Sequence, residues 1–295
     1  MAHRQIRRAG PAAGVALTTL ALAPATAGAV PSCGDRVTPR PLVRGQNWLE
    51  SIAFDARGRL LFTDIVRNKL MVIDRRGARP RPLADVPAPG GIAPLPGHRA
   101  LVGSGNTIDN GKAAPAQGLA KLLLVDLRTG RTRTYAEGLS MTNGVVRARD
   151  GTVFASDDFA SSLDRVSPRG VVQRAWSTVP NSNGLALDRR DRRLYVNISF
   201  PDTRIVSVDV RDPRRVRTVA APPAAQRSAV LDGLALDARG RLVAAAFGAG
   251  EIWRVKGRRF CAVARGLPGA TAPARGRRGR GFSSSSLYAT TARRA

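Results

Sequence analysis

Residues 231–246, LDGLALDARGRLVAAA, follow a pattern that recurs along the chain: a polar residue, a small residue, alternating apolar positions, a turn rich in Asp, Gly and Arg, and a second apolar run. That pattern describes a β-hairpin. It returns at 50–64 (ESIAFDARGRLLFTD), 143–157 (NGVVRARDGTVFASD) and 183–197 (NGLALDRRDRRLYVN), and in blurred form at 90–103 (GGIAPLPGHRALVG). The spacing averages about 45 residues, the length of a four-stranded propeller blade. Such a unit cannot bury its apolar faces alone, so the copies must stack, and the chain from Val30 onward has room for about six. The expected fold is all-β: a six-bladed β-propeller occupying 30–295 as a single domain.

The Pro-containing segment 31–44 suits an outer strand, because proline confines a strand to an edge or an end. It is expected to close the ring against a last blade whose inner strand is 269–273 and whose second strand is 286–291, with the basic loop RGRRGRG (275–281) between them. Residues 103–121 are too polar and Gly-rich for a strand. Long loops in compact folds often serve function, and Asn106, Asp109 and Asn110 are the polar candidates in this one, with Asn106 taken as a substrate contact.

Residues 1–29 read as a cleaved signal peptide. Arg4, Arg7 and Arg8 make a basic start, 14–23 an apolar stretch too short to span a bilayer, and the Ala-rich 25–29 a cleavage region. The expected location is therefore secreted or extracytoplasmic, with no transmembrane anchor and a monomeric chain. Cys33 and Cys261 are the two cysteines, and in an oxidising compartment they are expected to form a disulfide across the ring closure.

The formal charge of +27, from 48 Lys and Arg against 21 Asp and Glu, raises the question of nucleic acid. The arginines fall in turns and linkers such as 188–193 and 75–81, and aromatic residues are few. Base-stacking platforms are therefore not expected, and no specific nucleic-acid partner is. Weak attraction to anionic polymers or membranes follows from charge alone.

The chemistry is narrowed by elimination. The histidines are His3 and His98, so a multi-histidine zinc site is excluded and a Ser-His-Asp triad would depend on His98. No phosphate-cradling or dinucleotide motif is present. What remains is the first position of each repeat, here called the slot: Glu50, Gly90, Asn143, Asn183 and Asp232. Inner strands of a propeller run beside its axis, so slots converge at one mouth of the channel. Glu50, Asn143, Asn183 and Asp232 offer oxygen alone, which suits a hard divalent cation, calcium first, with magnesium, manganese or zinc as alternatives.

At LESIAFDARGRLLFTDI, SNGLALDRRDRRLYV and LDGLALDARGRLVAAA the chain resembles the senescence marker protein, gluconolactonase and luciferin-regenerating enzyme family. The resemblance covers roughly 48–255. It implies a six-bladed propeller with a divalent cation in its channel and, for most members, lactone opening. It also implies that Glu50, Asn183 and Asp232 are metal ligands, that Asn143 is a fourth ligand or a substrate contact, and that Asp232 is the catalytic base or nucleophile. Sugar lactonases of the family carry an arginine two residues before the third-blade asparagine and an aspartate after it. Met141 and Gly144 stand there in this chain, so a less polar lactone or ester is expected. The expected function is metal-dependent hydrolysis of a small-molecule lactone or ester, and the alternative is a non-catalytic propeller that binds a ligand or partner.

Overall fold

The computed structural model describes residues 29–295 except 35–36, 44–47, 115, 276–280, 284–287 and 293–295. The expected leader, save Ala29, and most of the basic loop at 275–281 lie outside the described residues. In the first repeat, Leu49–Phe54, Leu60–Asp64, Lys69–Ile73 and Arg81–Asp85 form an antiparallel sheet in chain order. The motif Asp-Ala-Arg-Gly-Arg makes the first turn. Asp55 Oδ1 accepts from the backbone N–H of Arg57 and Arg59 (3.0 and 2.8 Å), and Gly58 takes the left-handed φ of 82° that the turn needs. Asp237 repeats the device with Arg239 and Arg241, and Asp188 with Arg190 and Arg192.

Four further sheets follow the same plan, with inner strands Pro89–Leu95, Val145–Arg147, Ser182–Leu187 and Leu231–Leu236, each succeeded by three strands in chain order. Apolar side chains collect between neighbouring sheets. Leu61, Leu70 and Val72 of the first blade meet Ile92, Val102 and Val125 of the second, and Phe154, Leu163 and Trp176 of the third meet Leu185, Leu194 and Val196 of the fourth. Second strands are covered on both sides. Leu60–Asp64 and Val153–Asp157 are buried at every position, and each fully buried Leu or Phe contributes about 1.5–3 kcal/mol.

The expectation of six blades is corrected here: five blades are complete units of four consecutive strands. The ring is closed by a composite sheet in the order Val37–Pro41, Tyr288–Ala292, Gly281–Ser283, Pro273–Arg275. Its inner strand begins at Pro273 rather than 269, and the expected second strand at 286–291 falls largely in the third. The cause is in the sequence. After Cys261 there is no polar-small-apolar repeat with an Asp turn, and Pro273–Arg275 and Gly281–Ser283 are three residues each.

Val37–Pro41 pairs with Tyr288–Ala292 in continuous register, and its prolines sit on an edge strand. Before that, the chain runs beside the outer strand of the fifth blade, Arg259–Ala264: Cys33 N–H donates to the Ala262 carbonyl (2.9 Å), Ala262 N–H to the Pro31 carbonyl (2.7 Å), and Cys33 is disulfide-bonded to Cys261. The loop at 103–121 contains a short helix, α1 (Ile108–Ala113), capped by Thr107 Oγ1 accepting from the Asn110 N–H (3.2 Å). Among the described residues no helix is long and apolar enough to cross a membrane.

Candidate metal centre

Each complete blade treats its slot in a related way. The pairing of inner and second strands shifts register between Leu49 and Ile52, Pro89 and Ile92, Ser182 and Leu185, and Leu231 and Leu234. Every one of these irregularities encloses the slot residue and the small residue after it, and Asn143-Gly144 sits just before its strand. A bulge breaks the alternation of a strand and re-aims a side chain. The sequence pattern of polar then small residue thus encodes a bulge at the channel mouth.

Neighbouring blades fix these bulges through side chains of their second strands. Thr63 Oγ1 donates to the Gly90 carbonyl (3.1 Å), Ser156 Oγ to the Asn183 carbonyl (2.5 Å), and Asn197 Nδ2 to the Asp232 and Gly233 carbonyls. In the second blade the place of Thr63, Ser156 and Asn197 is taken by Gly103, and its slot is Gly90. A Cβ on Gly90 would stand 1.9 Å from the Thr142 carbonyl oxygen, so this slot has no room for a ligand.

The structure brings Glu50, Asn143, Asn183, Asp232 and Asn106 into one cluster, with Asp158 among them. Asn143 Nδ2 donates to Glu50 Oε1 (3.1 Å) across the channel mouth, and Asn183 Nδ2 lies 3.4 Å from Asp158 Oδ2. Asn106 also faces Glu50, and Asn183 faces Asp232, each amide favouring the charged form of its carboxyl group. Asn110 instead closes its own loop on the Gly105 carbonyl, and Asp109 is exposed. Met141 is buried under α1, where a Cβ on Gly111 would lie 3.0 Å from its sulfur.

Three carboxyl groups in one mouth raise one another's proton affinity. Burial, and then the charge of Asp158, push Glu50 up to about 8, with Asn106 and Asn143 pulling the other way. Burial, followed by Glu50 and Asp158, holds Asp232 well above the usual carboxylate range. Asp158 rises to about 7, chiefly through burial and then through Asp157. Asp157 reaches about 6 by burial, although the N–H groups of Phe159 and Ala160 oppose it.

Asp158 was not among the residues singled out in the sequence. It follows the second strand of the third blade instead of opening the first, so the repeat does not mark it. The signal that could have found it is the acidic pair Asp157-Asp158 at the end of a strand that is apolar up to Ser156.

The sequence profile of the SMP-30/gluconolactonase/LRE-like region matches residues 48–293. The chain belongs to the SMP-30/gluconolactonase/LRE-like family. No curated protein matches the chain in sequence. A gluconolactonase of Xanthomonas campestris superimposes with a TM-score of 0.71 at 19% identity, over 92% of this chain and 99% of that one. A calcium-binding protein, regucalcin of Agrobacterium tumefaciens, gives 0.69 at 16%, over 86% and 92%. A luciferin-regenerating enzyme gives 0.64 at 15%, over 86% and 95%. At these identities the structural likeness shows the fold.

For an SMP-30/gluconolactonase/LRE-like chain the mouth is chemically suited to a hard cation. All its donors are oxygens, and two of them, Asn106 Oδ1 and Asp158 Oδ1, are buried without a hydrogen-bond partner. A buried polar oxygen left unpaired is costly, and a cation satisfies it. Among the described residues no group of three or more His, Cys, Asp or Glu side chains is placed to hold an ion. The fit therefore rests on carboxylates and carboxamides together. Below the slots the inner strands enclose a cavity of ≈ 390 Å³, lined by residues such as Ile52, Phe54, Ile92, Leu185 and Leu234.

Proposed function

We propose that this family member is an exported hydrolase that opens a small lactone or related ester, using a divalent cation, calcium by preference, held by Glu50, Asn143, Asn183 and Asp232. The observation that carries the reading is the joining of slots from separate blades into one all-oxygen mouth, seen most directly in the Asn143–Glu50 hydrogen bond. A cation bound there supplies an electrophile that polarises the ester carbonyl and acidifies water. Asp232, beside the attacking water, would take its proton as general base. Asn143 and Asn106 orient the substrate through their amide groups.

The buried thioether of Met141 and the bare Gly144 leave no charged partner for a sugar acid at these two places, so the substrate is less polar than a sugar lactone. Export is supported by the leader-like residues 1–29 and by the disulfide. The test is a panel of lactones and aryl esters assayed with calcium, magnesium, manganese or chelator. Turnover that needs a cation and disappears in Asp232→Ala supports the proposal. Cation binding without turnover of any member points instead to a binding propeller, and neither binding nor turnover removes the metal site.

A further inference from the structure

Arginines dispersed along the sequence are sorted by the fold. Inner strands begin at the slots and end at the Asp turns, and the strands of each blade alternate in direction. Turns joining strands one to two and three to four therefore lie at the end of the ring opposite the candidate metal centre. Arg57, Arg190 and Arg239 occupy the first kind of turn in blades one, four and five, and Arg128 and Arg169 the second kind in blades two and three. All five are exposed.

Acids at this end are largely engaged. Asp55, Asp188 and Asp237 accept from turn N–H groups, and Asp55, Asp74 and Asp237 also pair with Arg59, Arg81 and Arg241. The five exposed arginines take part in no ion pair among the described residues. Turns of adjacent blades touch: Arg149 N–H donates to Asp191 Oδ2 and Arg189 Nη2 to the Ala238 carbonyl (both 2.9 Å), which links these turns into a collar. At the slot end most basic side chains pair with acids, as in Arg67–Asp64, Lys121–Glu137 and Arg265–Glu251. The surplus of arginine therefore falls on the turn face.

We propose that the arginine face docks on an anionic lipid bilayer, which leaves the candidate metal centre turned toward solvent. Arginine is suited to phosphate because its planar fork donates in pairs, and headgroup attraction adds up over a broad face without needing a groove. The large apolar residues exposed at this end are aliphatic, Val171 and Val216, whereas exposed Trp48 lies at the slot end. Stacking of nucleic-acid bases has no platform there.

The test uses the full chain and co-sedimentation with vesicles of phosphatidylcholine alone or of equal parts phosphatidylcholine and phosphatidylglycerol. Binding is expected to the anionic vesicles only, to weaken as salt rises, and to fall about tenfold or more in a triple variant with Arg57→Glu, Arg190→Glu and Arg239→Glu. A control with the same change of charge at the slot end, Lys112→Glu, Lys121→Glu and Arg227→Glu, is expected to keep most of the binding. If the first triple variant does not fold, the corresponding three Arg→Gln changes give the same reading. Equal binding to neutral vesicles, equal loss in the two triple variants, or tighter binding to duplex DNA than to anionic vesicles at the same salt overturns the proposal. Hydrolysis and cation binding are measured separately, so failure of either reading leaves the other intact.

Discussion

Glu50 ties the pH response of the protein to its candidate site. Its proton affinity rises from 4.5 to about 8 on folding, so between these values the native state keeps a proton that the unfolded chain has released. Stability then falls as pH rises through this window. Asp158, raised to about 7, and Asp157, raised to about 6, act in the same direction. Cation-free protein is therefore expected to melt at progressively lower temperature from about pH 5 to about pH 8, with calcium flattening the decline by compensating the carboxylates. Thermal denaturation in chelator and in calcium measures this, and a flat chelator profile would contradict it. Asp232→Ala removes the proposed charged ligand and base, and is expected to abolish both hydrolysis and the calcium dependence of melting. Asn143→Ala removes a neutral oxygen, so its effect on cation affinity is expected to be smaller while turnover still drops.

At the level of the strand, the slot is inseparable from the small residue that follows it. A Cβ on Gly184 would stand 2.3 Å from the Leu234 nitrogen and 2.4 Å from the Asp232 carbonyl oxygen, where backbone cannot easily yield. Gly184→Ala is therefore expected to cost about 1–3 kcal/mol or more and to weaken cation binding by displacing Asp232, as read by denaturant titration alongside calorimetry. The closing segment makes a second element-scale prediction. Cys33 and Cys261 are separated by 228 positions, and replacing both by Ser is expected to lower stability by up to about 5 kcal/mol on the chain-entropy view. Alkylation of the unreduced protein checks the bond itself, since two labelled thiols would exclude it. Hairpins and slots were legible because each is local: an Asp-Ala-Arg-Gly-Arg turn and a polar-small pair specify themselves within a few residues. The closing sheet was less legible, since its strands are short and one comes from the other end of the chain.

For the molecule as a whole, a cation held by several blades as proposed would stabilise the ring as a unit, by about 2.7 kcal/mol at a hundredfold excess over its dissociation constant. Melting temperature is expected to rise with calcium and to return to its starting value on chelation; no response in the wild type would remove the cation from the proposed function. By itself the sequence determined the four-stranded unit of the five complete blades, the turns, the slot residues and the pair of cysteines, because a repeat states the same local physics several times. Tertiary structure alone decided which residue joins the expected ones at the mouth and which slot is left out. Asp158 enters it just after a second strand, and Gly90 is excluded by the Thr142 backbone. It also decided the sorting of the arginines, since only alternation of strand direction around a closed ring sends turns far apart in sequence to the same face. Periodicity tells which residues are equivalent, but proximity between equivalent residues is created by ring closure, and the electrostatics of both faces follow from that closure.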